Sequence, residues 1–383
     1  MNLQAVPLSS LAEVRSGGGA PQEATAFTAT GHPFVRAGSL SKLLDGASEE
    51  SLEQLEPAAA EKHGLKLFPV GTVLFAKSGM SATKGHIYRL RHPAYVVNHL
   101  AALVPYDPGD SAFLVRALER FPPTVLIKDP AYPSIRLGDI EDMKVLAPHD
   151  PAERRRIAEV LDRAEALRAK RRAALAQLDT LTQALFLDLF GDPATNPKGW
   201  PRKSLKELGK VTTGGTPPSA TAGMFDGPIP FITPGDLESD APVKRSLTEA
   251  GAAKSVTVRP GATLVCCIGA TIGKTGKAMV SSAFNQQINA VEWGAEIDDS
   301  YGLAVLRFFK PTIIAWGAST TLPILKKSAF ERIEVPVPPL KLQTEFSRRV
   351  EVVEGLTGQH RQSLTNLDEL FGALQHRAFR GEL

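Results

Sequence analysis

Apolar residues recur every three or four positions along two stretches that are poor in Gly and Pro. Between 152 and 190, Ile157, Leu161, Ala164, Leu175, Leu178, Leu185 and Leu189 share one a/d seam. Between 340 and 379, Phe346, Val350, Val353, Leu364, Leu367, Phe371 and Leu374 form its counterpart. A heptad pattern sustained this long predicts coiled-coil-type helices. A helix of some 33 residues is about 50 Å long, more than one small globule covers alone. Each stretch as a single amphipathic helix lying on its own domain is the simpler alternative. Both seams turn polar at matching places, Arg168/Arg171 and Thr357/His360. The first helix is predicted to stop in LFGDPATNPKGWP, where Gly191, Pro193, Pro197 and Pro201 forbid its continuation.

Ahead of each long stretch lie short β-like runs punctuated by Gly and Pro. FVRAGSL, GTVLFAKSG, HIYRL and AYVVNHLAALV read as strands in the first half, and PFITPGDL, ATLVCCIG and NAVEW in the second. FLVRALERF and YGLAVLRFFKPTII read as short helices. Helices and strands do not alternate regularly, so the expected class is α+β. Two similar globules with two long antiparallel helices, related by a pseudo-twofold internal repeat, are expected. The predicted limits are 1–150 and 201–338 for the globules, 151–190 and 339–383 for the helices, and 191–200 for a linker.

The two halves also match each other residue by residue. Leu8/Leu205, Leu11/Leu208, Val14/Val211 and Gly17/Gly214 pair at one offset, and PFVRAGSL with PFITPGDL keeps it. GTVLFAKSG (71–79) then matches GATLVCCIG (261–269), and Lys84 pairs with Lys274 at that new offset. VNHLAALV and FNQQINAV align on Asn98 and Asn285, and Met143/Ile333 and Val145/Val335 close the series.

Composition narrows the chemistry. A net charge of +3 excludes a uniformly basic surface, so a nucleic-acid site must come from local clustering of Lys and Arg. The only cysteines, Cys266 and Cys267, are neighbours in an apolar run, where a bridge between them would be strained. A reduced cytoplasm fits, and a cysteine-based metal site does not. No apolar run reaches the roughly 20 residues that span a bilayer, and MNLQAVPLSSLAEV lacks signal-peptide character.

The segments DPAERRRIAEVLDRAEALRAKRRAALAQLDTLTQALFLDLFGDP and VPVPPLKLQTEFSRRVEVVEGL, with a closing ALQHRAFRGEL, carry a specific likeness. Over essentially its whole length the chain resembles the specificity subunits of type I restriction–modification systems. It departs from the family at LAPHDPAERRRI, which lacks the PPL present in the second copy. The resemblance implies a non-enzymatic subunit with two target-recognition domains, each reading one half of a split double-stranded DNA site. Two unlike domains would read two unlike half-sites, on groove faces about 34 Å apart. It also implies docking of two methyltransferase subunits and of restriction/translocase subunits. S-adenosylmethionine and ATP would then belong to those partners, with no cofactor in this chain. A coiled-coil adaptor that binds protein or RNA is the rival reading, separable by salt-dependent binding to a specific duplex.

Catalytic motifs are missing. IGATIGKTG has three residues between Gly269 and Gly273 where a P-loop needs four. DPAY (129–132) reads as a turn, and the eight histidines show no metal spacing. The best DNA-contact candidates are the paired loops AKSGMSATKGH and GATIGKTGK, with Lys77, Ser78, Lys84, Thr271, Lys274 and Lys277. Glycines there let backbone N–H groups approach phosphates. A later pair of loops adds Lys128, Tyr132, Ser134 and Arg136, and Ser319, Thr320, Thr321 and Lys326. Ordinary hairpin loops with solvated lysines are the plainer explanation. Asn98 and the Asn285–Gln287 run suit adenine edges, but lying in predicted apolar strands they are expected first to make structural hydrogen bonds. The Arg-rich start of the first helix reads as a solvated face, with phosphate or partner contact the sharper alternative.

Overall fold

The computed structural model describes residues 2–218, 220–239, 241–318 and 322–383. The chain divides into two compact units, one of residues 1–172 with 363–383, the other of residues 173–362.

The first unit contains a four-stranded antiparallel sheet in the order Ala12–Ser16, Leu100–Pro105, Val73–Ala76, Ile87–Arg89. A second sheet runs Phe27–Thr28, Gln54–Leu55, His32–Val35, Tyr95–Val96, with the last pair parallel. A two-stranded ribbon, Leu3–Pro7 with Lys144–Pro148, closes the globule. The second unit repeats this plan. Gly209–Thr213, Ile288–Trp293, Thr263–Cys266 and Thr275–Lys277 form one sheet in that order. Phe225–Ile232 again pairs in parallel with Ser282–Phe284, and Arg202–Ser204 with Glu334–Pro336 makes the ribbon. These are sheet-rich α+β globules, as the residue pattern predicts.

Matching glycines enforce the match between copies. Gly17 donates its N–H to Leu100 O and Gly18 to Val96 O, while Gly214 donates to Ile288 O and Gly215 to Phe284 O. A Cβ at Gly17 would lie 2.1 Å from Val96 O, and one at Gly214 would lie 2.2 Å from Asn285 O. No side chain fits so close an approach.

Three expected elements come out differently. AYVVNHLAALV is two strands, because the chain turns at Asn98, whose N–H reaches Gly18 O at 2.7 Å. FVRAGSL ends its strand at Val35, and a helix, Ser39–Leu44, begins within it. YGLAVLRFFKPTII becomes two helices, Asp299–Phe308 and Lys310–Gly317, because Pro311 is suited to a first helical turn and not to a helix interior.

The long helices are Pro151–Phe190 and Leu340–Ala378. Within the first unit, Ile157, Ala158 and Leu161 join Phe113, Leu114, Ala378 and Phe379 in one core. There the two helices run antiparallel, since Arg168 pairs with Asp368 at 2.6 Å and Arg156 reaches Leu383 O at 2.9 Å. The Arg168 guanidinium also lies 4.5 Å from the Phe371 ring centroid, so the polar seam position is partnered. In the second unit Phe186 and Phe190 pack edge-on against Phe346, while Phe186 stacks on Tyr301 and Phe190 meets it edge-on; the Tyr301 hydroxyl donates to Pro336 O at 2.8 Å. These two phenylalanines sit beside the heptad positions Leu185 and Leu189, which are themselves only half-buried.

The ends of the first long helix are locally satisfied. Asp150 caps the first by accepting from Ala152 N at 2.9 Å. At the other end Gly191 takes a left-handed φ of 76°, and Lys198 donates to the free carbonyls of Asp188 and Leu189. Trp200 Nε1 donates to Phe190 O.

The Arg-rich start of the first helix is largely absorbed by ion pairs. Arg154 is buried and pairs with buried Asp110 at 2.8 Å, with further bonds to Pro148 O and His149 O. Arg155 pairs with Asp107, Arg156 with Glu153, and Arg172 with Glu165. Arg168 also pairs with Glu165. Little of this charge is left over for a phosphate.

Candidate nucleic-acid interface

Each globule builds one exposed surface from two loops that are far apart in sequence. In the first unit the strand Val73–Ala76 is wholly buried and hands the chain to Lys77, whose N–H donates to His99 O at 2.9 Å. Ile135 N donates to Lys77 O at 2.7 Å and Gly79 N to Pro133 O at 2.9 Å, so Ser78 faces Ser134 across an antiparallel bridge. In the second unit Leu325 N donates to Cys267 O at 2.8 Å and Gly269 N to Pro323 O at 2.9 Å, so Ile268 faces Ile324. Both turns need a left-handed glycine, Gly79 at φ 73° and Gly269 at φ 94°.

The early and late candidate loops of each half are therefore neighbours. Lys77 and Ser78 meet Ser134 and Arg136 in one unit, while Lys274 and Thr271 share a turn beside the strand that carries Lys277 in the other. Tyr132 is 82% exposed at this surface. Lys128 is exposed and only loosely paired with Asp139, at 3.8 Å. Lys326 is exposed one residue beyond Leu325. Ser319, Thr320 and Thr321 lie outside the described residues.

Two pairings read from the sequence are corrected. Lys84 is not the counterpart of Lys274. The strands Ile87–Arg89 and Thr275–Lys277 hold equivalent places, since Val73 faces Arg89 and Thr263 faces Lys277. Lys274 thus corresponds to His86 and Lys277 to Arg89. The first loop (77–86) is two residues longer than the second (267–274), and Lys84 ends a short 3-10 turn, Met80–Lys84, that the second loop lacks. Asn98 likewise corresponds to Gln286 and not to Asn285, because Val97 N donates to Val35 O where Asn285 N donates to Ile232 O. Neither Asn lies in a strand. Asn98 turns the chain, and Asn285 accepts from Gln287 N and donates to Gln287 Oε1. DPAY is a turn, with Ala131 N donating to Asp129 Oδ1.

Thr271 has a structural task. Its hydroxyl lies 3.4 Å from Cys266 Sγ, and its carbonyl accepts from Lys274 N. Beside the bridge stand His99, which the residue pattern did not single out, and Gln287, which makes the structural hydrogen bonds expected of it. His99 Nδ1 is 2.7 Å from Ser78 Oγ, and Gln287, in the equivalent place, donates to Ile268 O at 3.4 Å. The available signal was a polar pair interrupting VVNHLAALV, which a single strand through that run concealed.

Some cations of the second globule are held in ion pairs away from this surface. Lys203, Arg259 and Lys310 are tied to Glu296, Asp299 and Glu238. Lys77, Lys84, Arg136, Lys274, Lys277 and Lys326 make no ion pair among the described residues. Unpaired cations beside exposed backbone turns suit a polyanion. No group of three or more His, Cys, Asp or Glu among the described residues is placed to hold a metal ion. No helix among them is long and apolar enough to cross a membrane.

Beneath the second surface, burial pushes the Cys267 thiol up to about 12. The thiolate is the reactive form, so native Cys267 will resist alkylation by iodoacetamide at pH 8. Mass spectrometry should find it modified only after denaturation, and rapid native labelling would contradict its burial.

With this geometry in place, known proteins can be compared. In sequence and in fold the chain resembles the specificity subunits of type I restriction–modification systems. Residues 197–367 match the model of the type I restriction modification DNA specificity domain. The MjaIX specificity subunit of Methanocaldococcus jannaschii is 27% identical over 151 residues, 38% of this chain and 33% of that protein. The HindI specificity subunit of Haemophilus influenzae is 26% identical over 198 residues, 49% of this chain and 42% of that protein. The matches thus reach less than half the length of these relatives. The type I S subunit from M. genitalium superposes with a TM-score of 0.66 at 14% identity, covering 99% of this chain and 96% of its own. A chain from a structure on complex assembly and conformational transition of the type I R-M system gives 0.57 at 18% identity, covering 100% and 98%. At these identities the structural likeness speaks for the fold alone.

Proposed function

We propose that this chain is the DNA-reading subunit of a type I restriction–modification complex. Each globule reads one half of a bipartite, asymmetric target. Two methyltransferase subunits and the restriction/translocase subunits are its partners, and they bring S-adenosylmethionine and ATP. The chain itself supplies recognition and carries out no reaction. The observation that carries this reading is the duplicated loop surface, built twice by the same backbone bonds and bearing unpaired cations both times. Candidate contacts are Lys77, Lys84, Lys128 and Arg136 on one surface and Lys274, Lys277 and Lys326 on the other, with Ser78, Tyr132, Ser134, Thr271, Ser319, Thr320 and Thr321 as polar candidates.

The test is to co-express the full chain with a type I methyltransferase and map modified adenines on random-sequence duplexes. A split motif with unlike halves and a fixed gap is expected, and exchanging residues 1–150 should change one half only. Association of the two proteins without any motif would instead favour a protein-interaction adaptor.

A further inference from the structure

The two surfaces share a backbone frame and differ in chemistry at the bridge. In each, the facing residues form a non-hydrogen-bonded antiparallel pair, the arrangement that brings side chains closest together. In the first unit that pair is Ser78 and Ser134, with His99 against the Ser78 hydroxyl and Tyr132 beside them. In the second unit it is Ile268 and Ile324, with Leu322 in the place of Tyr132 and Gln287 in the place of His99. Four donor-bearing side chains are thus answered by three alkyl groups and an amide that is turned back to the backbone.

Two of the three alkyl groups are out in solvent, and Ile268 is half-buried. Leu322 is 50% and Ile324 41% exposed, and so are Ile314 and Trp316 of the helix Lys310–Gly317, at 43% and 52%. That helix packs onto the same loop. A Cβ at Gly273 would lie 3.2 Å from Ile314 Cγ1, and Ile324 N donates to Gly317 O at 2.8 Å. Single exposed apolar residues are ordinary, but four on two joined segments, next to unpaired Lys274 and Lys326, are not. The cations call for a polyanion, and the apolar centre calls for apolar atoms on it. In the major groove of DNA the one apolar group is the C5-methyl of thymine.

Building on the DNA-reading function above, we propose that Ile268 and Ile324 are specificity-determining residues that contact thymine methyl groups. The second unit then reads its half-site through methyls, and the first reads its own through hydrogen bonds from Ser78, Ser134 and Tyr132.

The experiment starts from duplexes enriched by the full chain, with its methyltransferase partner, from a random-sequence pool. The half-site of the second unit is the one left unchanged when residues 1–150 are exchanged. Each thymine in both halves is then replaced singly by deoxyuridine, which removes only the methyl. One buried methyl is worth about fourfold in affinity, so at least one replacement in the second half-site should weaken binding by about that factor. Ile324→Ser should bind the thymine and deoxyuridine duplexes alike, while Ile324→Val should keep the discrimination. If no replacement in that half-site matters, or if Ile324→Ser discriminates as the parent does, methyl reading is refuted although DNA reading stands. If no sequence is enriched at all, the DNA-reading function fails and this inference falls with it.

Discussion

Phe186→Ala lowers the stability of the second unit by about 3–5 kcal/mol, the usual cost of emptying a fully buried aromatic site. Phe186 belongs to the first long helix, yet it is 1% exposed among Phe190, Tyr301, Phe308 and Phe346. Truncating it removes the ring contacts that hold helix and globule together and leaves a cavity that the four remaining rings cannot refill. Leu187, one residue on, is 39% exposed, so Leu187→Ala should cost far less. The readout is built into the chain, because Trp200, Trp293 and Trp316 all belong to the second unit. Urea unfolding followed by tryptophan fluorescence therefore reports this unit alone. A midpoint for Phe186→Ala close to that of Leu187→Ala would show that the helix is not anchored there.

The other large effect concerns DNA. Replacing Lys77, Lys84 and Arg136 by alanine together should weaken binding of the full complex to its target about 100-fold near 0.15 M salt. Each neutralised phosphate contributes about 0.9 to the slope of log K against log salt, so three lost contacts lower that slope by about 2.7. These cations are unpaired and their backbone is fixed by bonds that the substitutions leave intact, such as Ile135 N to Lys77 O. The fold should therefore survive, and circular dichroism would verify that. The same three changes should weaken non-target duplexes by a similar factor, since phosphate contacts carry no sequence information. An unchanged salt slope would remove this surface from the interface. Arg155→Ala and Arg172→Ala, whose partners are Asp107 and Glu165, serve as controls and should leave the slope alone.

The sequence by itself was enough for the repeat, the α+β class and the two long helices. Each rests on information that lies along the chain. Heptad spacing marks which helix face is buried, and Gly191 with the prolines behind it marks the stop. The glycine pairs Gly17/Gly214 and Gly79/Gly269 show up in both copies because close approach or a left-handed φ leaves no substitute.

What a buried face packs against was decided only in three dimensions. Residues 363–383 complete the core of the first unit, where Phe379 meets Phe113 and Phe121. No pattern along the chain could show this, since periodicity is a local property and the partner is hundreds of residues away. Phe186 and Phe190 were overlooked beside their seam because a strict a/d stripe is narrower than a face packed on both a helix and a globule. The candidate surface escaped for a related reason. Its two loops are joined by backbone N–H and C=O groups, which every residue carries and no residue type announces. The same bonds undid the pairing of Lys84 with Lys274. A two-residue difference inside a glycine-rich loop leaves no hydrophobic register to reveal it, whereas strand pairing counts residues one by one.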